Sequence, residues 1–245
     1  MHINTNLSLK DYIRGYKEMC RFIANAPIVS GSLLLLALAV TAIPFSLFPL
    51  KMGAYGLLVT MVVCCVSIHY RFGTLTGLFD ELKHQQRLFL PAIVAMTALS
   101  WLGYVVATSA AAMMPSVEGN QAMTWDGFSV MGIVVAGAAI CVAQLMPYVI
   151  AHFCNGLNLS RQQGEHIWMT LMLRWKTFLA FVPVALFVPL AMLMQQDLSA
   201  FILLAATVYC TFLMFIVFNV SPTPRTQTVS SSLFTAQAGR RCHHE

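Results

Sequence analysis

LSAFILLAATVYCTFLMFIVFNV, residues 198–220, runs for 23 residues without an Asp, Glu, Lys or Arg. About 20 apolar residues in a helix cover the roughly 30 Å hydrocarbon core of a bilayer. Five further stretches read the same way: 29–50, 52–70, 89–114, 128–150 and 177–194, so that the six are 18 to 26 residues long. The fold class expected is all-α: a polytopic membrane protein with six transmembrane helices in three hairpins, each hairpin preceded by a cytoplasmic amphipathic helix. Residues 1–220 then form a single membrane domain, because no loop is long enough to fold alone. Residues 221–245 are polar and rich in Ser and Thr, with no apolar period, and are expected to be a disordered cytoplasmic tail.

Hydrophobic residues make up 58% of the chain and charged residues 9%, against about 25% charged in a soluble domain. That supply cannot clothe a water-soluble surface. Of the 14 Lys and Arg, 13 fall in the N-terminal segment, loop 71–88, loop 151–176 and the tail; the opposite loops hold only Lys51. This is the positive-inside asymmetry, and it places both termini in the cytoplasm. The net charge of +5 does not imply nucleic acid, because base readout or stacking needs a projecting domain. Residues 1–28 are too polar for a cleavable leader, and 29–50 is too long for its apolar region, so the first span is expected to act as an uncleaved anchor.

The cytoplasmic segments carry a pattern of their own. Leu9, Tyr12, Ile13, Tyr16, Met19, Cys20 and Ile23 recur at helical spacing, with Lys10, Arg14, Lys17 and Arg21 on the remaining arc. Ser8 is an N-cap candidate, with Asp11 placed to favour the helix start. Such a helix belongs in the membrane interface, its cations toward anionic headgroups. Phe72, Leu75, Phe79, Leu82 and Phe89 repeat the pattern before the third span, and Ile167, Trp168, Leu171, Met172 and Trp175 before the fifth, where Ser160 and Gln163 suggest a capping box. Each segment ends in a basic residue and enters a span near Pro27, Pro91 or Pro183. Two readings stay open: a true triple repeat, or the periodicity any six-span protein shows. Pro44, Pro49, Pro183 and Pro189 are expected to kink spans 1 and 5.

Few residues suggest chemistry. The central parts of the spans hold no ionisable group, which argues against an ion-coupled transporter. The Thr and Ser hydroxyls there can bond a preceding carbonyl. Gln144 is the one deep amide, read as an interhelical hydrogen bond with substrate contact as the alternative. Gly132 and Ala136, four apart in span 4, suggest close helix packing within the chain, with dimerisation as the alternative. His69 with His152 is a poor haem pair, and the Cys242-His243-His244 tail cannot close a four-ligand zinc site. No H-E-x-x-H or G-x-S-x-G motif is present. No cysteine falls in an expected outside loop, so none is expected in a disulfide. No cofactor or metal is expected.

Three passages carry a resemblance: FIANAPIVSGSLLLLAL at 22–38, LFDELKHQQRLFLPAIV at 78–94, and MPYVIAHFCNGLNLSRQQGEHIWMTLMLRWKTFLAFVPVAL at 146–186. They resemble uncharacterised six-span bacterial inner-membrane proteins, similar to the membrane domain attached to some glycerophosphoryl diester phosphodiesterases. The chain departs from those enzymes in carrying no catalytic domain, so the resemblance implies topology and a bacterial inner-membrane location rather than activity. The function expected is that of a non-enzymatic accessory or scaffold component, in contact with the lipid bilayer and with room for a membrane-protein partner. The alternative is a small-molecule or lipid transporter.

Overall fold

A computed structural model describes residues 3–72, 125–155, 161–194 and 198–220 and part of 90–109. Among the described residues every regular element is helical. Four of the described helical stretches are long and apolar enough to cross a membrane: Phe45–Arg71, Met131–Ala151, Trp175–Leu193 and Ser199–Val217. A fifth is reached when the bent pair Leu9–Asn25 and Pro27–Ala42 is taken as one.

The first helix, α1 (Leu9–Asn25), starts where the sequence suggests. The Asp11 carboxylate accepts both the backbone N–H and the hydroxyl of Ser8, each at 2.8 Å. A residue before proline avoids helical space, and Ala26 accordingly turns to φ −128°, ψ 60°. Pro27 then opens α2 (Pro27–Ala42), a position where its missing N–H costs nothing. α1 and α2 meet at 102°.

The next turn falls earlier than expected. The uncharged run 29–50 places the turn at Lys51, but α2 stops at Ala42. Ile43, preceding Pro44, is extended at φ −65°, ψ 124°. A 3-10 turn, Phe45–Leu47, follows, and α3 runs Phe48–Phe72 with Pro49 in its first turn. Pro44 thus ends a span instead of kinking it, and Lys51 lies inside the start of α3 instead of in a loop. It is 4% exposed.

α4 (Trp125–Ala143) and α5 (Leu145–Asn155) are separated at Gln144, whose N–H is shared between the carbonyls of Ile140 (3.0 Å) and Cys141 (3.3 Å). Pro147 has no N–H to offer the carbonyl of Ala143, and that missing rung accounts for the break. α6 (Arg161–Leu173) ends at Arg174, which is extended. The Thr177 hydroxyl lies 2.8–3.1 Å from the carbonyls of Thr170, Leu171 and Arg174, closing the end of α6. A short α7 (Trp175–Phe178) and a 3-10 turn, Leu179–Phe181, lead into α8 (Val182–Leu193), with Pro183 at its start and Pro189 within it.

The last helix, α9 (Ser199–Val217), is the hub. It packs against α8, α2, α1, α3 and α5, while α2 lies along α3 and α4 lies against α8 and α3. Its end is a Schellman turn: Asn219 takes φ 52°, Val220 N–H reaches Phe215 O at 2.9 Å, and Asn219 N–H reaches Ile216 O at 3.2 Å. Its hydroxyls bond back along the helix, Thr207 to Leu203 O (2.7 Å) and Thr211 to Thr207 O (2.9 Å), as does Thr60 of α3 to Gly56 O (2.9 Å). Residues 90–109 are helical where described. They run antiparallel to α3, with Ile93 beside Gly56 and Tyr104 stacked on Phe48 at 5.5 Å. The expected amphipathic helix in loop 73–88, the turn at 115–124, the Ser160 cap and the tail 221–245 lie outside the described residues.

The bundle has two distinguishable ends. At one, Asn4 N–H donates to Val217 O at 2.7 Å, Arg174 Nη1 to Thr5 Oγ1 at 3.0 Å, and Phe22 meets His69 edge-on at 5.4 Å. At the other, Lys51 Nζ donates to Thr41 O (3.3 Å) and Met192 O (3.4 Å), next to the last residues of α2 and α8.

Candidate functional site: the surface organised by α1

α1 lies across the bundle end, and the face it buries shares only Met19 with the stripe the sequence marks out. Gly15, Met19 and Phe22 are buried against the bundle. Gly15 marks the crossing with α9: a Cβ there would stand 3.0 Å from Leu213 Cδ2 and 3.4 Å from the Tyr209 ring. Two phenols fasten the crossing. Tyr12 donates to Lys176 O at 3.3 Å, and Tyr209 donates to Tyr12 O at 3.1 Å. Burial, with the Asp11 carboxylate adding to it, pushes the Tyr12 phenol up, so it stays protonated as that donor.

Most of the stripe read from the sequence stays open instead. Leu9 is 77% exposed, Tyr16 57% and Ile13 48%, with Cys20 and Ile23 on the same stripe also exposed. Moving each of these half-open side chains out of water is worth roughly 1 kcal/mol. Lys10, Arg14, Lys17 and Arg21 are all exposed and fall on the adjoining stripe. Arg21 pairs with Glu18 at 3.1 Å.

Two recesses flank α1. On its acidic side a pocket of about 180 Å³ is lined by Asp11, Arg14, Glu18, Tyr70, Phe215 and Asn219, among others. Tyr70 stacks on Phe215 at 5.3 Å. Asp11 is occupied with the Ser8 cap and Glu18 with Arg21. Nothing in this pocket pairs a nucleophile with a base. On the other side an open apolar groove of about 500 Å³ lies between α1, α8 and α9.

Gln144, read in the sequence as an interhelical contact, lies between α4 and α5. It is 4% exposed, and its Nε2 points to Met172 Sδ of α6 at 3.8 Å, while Oε1 has no partner among the described residues. Gly132 and Ala136 are half-buried, and no described atom lies within 4 Å of a Cβ built at Gly132. The packed strip of α4 is instead Val135, Ala138, Ala139 and Val142. On α6, Ile167 and Leu171 are buried, whereas Trp168 and Trp175 beyond it are 47% and 68% exposed. Cys64, Cys65 and Cys210 are buried thiols, and Cys20 and Cys141 are exposed ones.

Several residues that organise this surface carry no signal in the sequence reading. Gly15 looks like any helical glycine, and the phenols of Tyr12 and Tyr209 find partners 164 and 197 residues away. Asn219 could have been found: an asparagine after an apolar run, three residues before Pro222, is a helix-stop signal. No family profile, no curated protein and no solved structure matches the chain.

Proposed function

We propose that the chain crosses a bacterial inner membrane six times, with both ends on the cytoplasmic side, and acts there as a non-enzymatic accessory or scaffold component. The observation that carries this reading is the geometry of α1. A helix turned 102° from α2, with one apolar stripe on the bundle, one left open and a row of cations beside it, is built to lie in the headgroup layer.

Two further observations support the crossing count. Asn4 and Val217 meet at one end of the bundle, which fits an even number of crossings between them. α2, α3, α4–α5, α8 and α9 account for five, and residues 89–114, antiparallel to α3 where described, account for the sixth. The charge distribution supports the orientation. Lys51, the one described cation at the far end, is held on helix carbonyls, whereas the α1 end carries Lys10, Arg14, Lys17, Arg21, Arg174 and Lys176.

Spin labels placed singly at positions 9 to 21 of α1 test the reading in liposomes. Labels at 9, 13, 16 and 20 should collide with oxygen, and labels at 10, 14, 17 and 21 with a water-soluble relaxant. Uniform water exposure along the helix would reject an interfacial α1.

The transporter reading draws on Gln144 Oε1 and Ser67 Oγ, which are buried in the bundle without partners among the described residues. Flux of a small solute or lipid in liposomes holding this chain alone would favour it over the scaffold.

A further inference from the structure

We propose that the groove between α1, α8 and α9 is a phospholipid site, holding one acyl chain of the α1-side leaflet with its anionic phosphate on Lys17 and Lys176. The inference rests on the interfacial reading of α1 and adds a ligand to it.

The groove is lined by Ile13 and Tyr16 of α1, Pro183 and Phe187 of α8, and Phe201 and Ala205 of α9, with others. The small side chain of Ala205 and the ring of Pro183 leave the space, and the phenylalanines wall it. Phe187 and Phe201 are 49% and 52% exposed, so the cleft opens sideways, at the depth of helices apolar enough to span a bilayer. Its volume, about 500 Å³, falls in the range of ligand sites, roughly 300–1,000 Å³.

Its chemistry selects hydrocarbon. The phenols of Tyr12 and Tyr209 are both spent on backbone carbonyls, and apart from Tyr16 every other side chain that lines the groove is apolar. Its length selects one leaflet. From Tyr209, where α1 crosses, to Phe201 the groove climbs eight residues of α9, about 12 Å at 1.5 Å per residue, a little less than half of a hydrocarbon core of roughly 30 Å.

Charge selects the headgroup. The foot of the groove is α1 itself. Lys17 follows Tyr16 directly and lies one turn from Ile13, and Lys176 holds the Tyr12 phenol through its carbonyl. Both ammonium groups are exposed. The acids of α1, Asp11 and Glu18, face the other recess. A chain rising along α9 from this foot would bring its phosphate to the end of the groove where Lys17 and Lys176 are exposed.

The test uses the full chain in nanodiscs with spin-labelled phosphatidylglycerol and spin-labelled phosphatidylcholine, reading the motionally restricted fraction of each. Two cations near the surface predict a preference for the anionic lipid of about tenfold or more. Ala205→Trp should remove the tightly held fraction for both lipids. Lys17→Gln with Lys176→Gln should leave a held chain but bring the preference close to one. Circular dichroism and the α1 labelling pattern check that each variant keeps its fold. The proposal fails if the wild-type protein shows no preference, if Ala205→Trp leaves the restricted lipid unchanged, or if the site retains detergent only. Any of those results would leave the interfacial reading of α1 standing, because the label pattern tests it separately.

Discussion

A lysine with 4% exposure needs acceptors, because an unpaired buried charge is costly. Lys51 finds two in the last turns of α2 and α8, where the helix ends carry partial negative charge. Lys51→Met keeps the stem and strands both carbonyls, so it should destabilise the protein by about 1–3 kcal/mol, seen as a lower thermal midpoint in detergent. An unchanged midpoint would mean the ammonium does no stapling. The sequence showed Lys51 as the lone cation of its side but not why it is there, because its acceptors lie 10 and 141 residues away. Gln144 stood out in the sequence as the one deep amide. Its partner, Met172, follows from how α6 folds back, which no local pattern encodes.

At the scale of elements, the bounds of α1 were readable: Ser8 and Asp11 give its start, and Pro27 gives its stop. The face it docks was not readable, because Gly15 and Phe22 lie outside the stripe that the 3-4 spacing marks and only Met19 belongs to both. Gly15 decides it by letting α1 approach α9. Gly15→Ile should push α1 away and raise maleimide labelling of a Met19→Cys probe several-fold. Gly15→Ala should change it little, since only the flexible Leu213 side chain must move. Equal labelling in both variants would show that α1 is not docked through this glycine. The boundary between α2 and α3 was misplaced because no charge marks it within 29–50. Pro44 held the information, since a proline after an extended residue ends a span as readily as it bends one.

For the whole molecule, a helical chain with several helices long and apolar enough to cross a membrane was legible from composition and run length alone. The arrangement around α9 was not, because apolar runs of similar length carry no address for their neighbours: in lipid, packing details decide which helices meet. The six-crossing account joins the two levels. It rests on the contact between Asn4 and Val217, on the charge split, and on a third crossing near residues 89–114. Reporter fusions after Phe72, Glu118 and Val220 test it most directly. The account predicts cytoplasmic, external and cytoplasmic signals in that order. A Glu118 fusion reporting the same side as Phe72 would remove the third crossing and contradict the account.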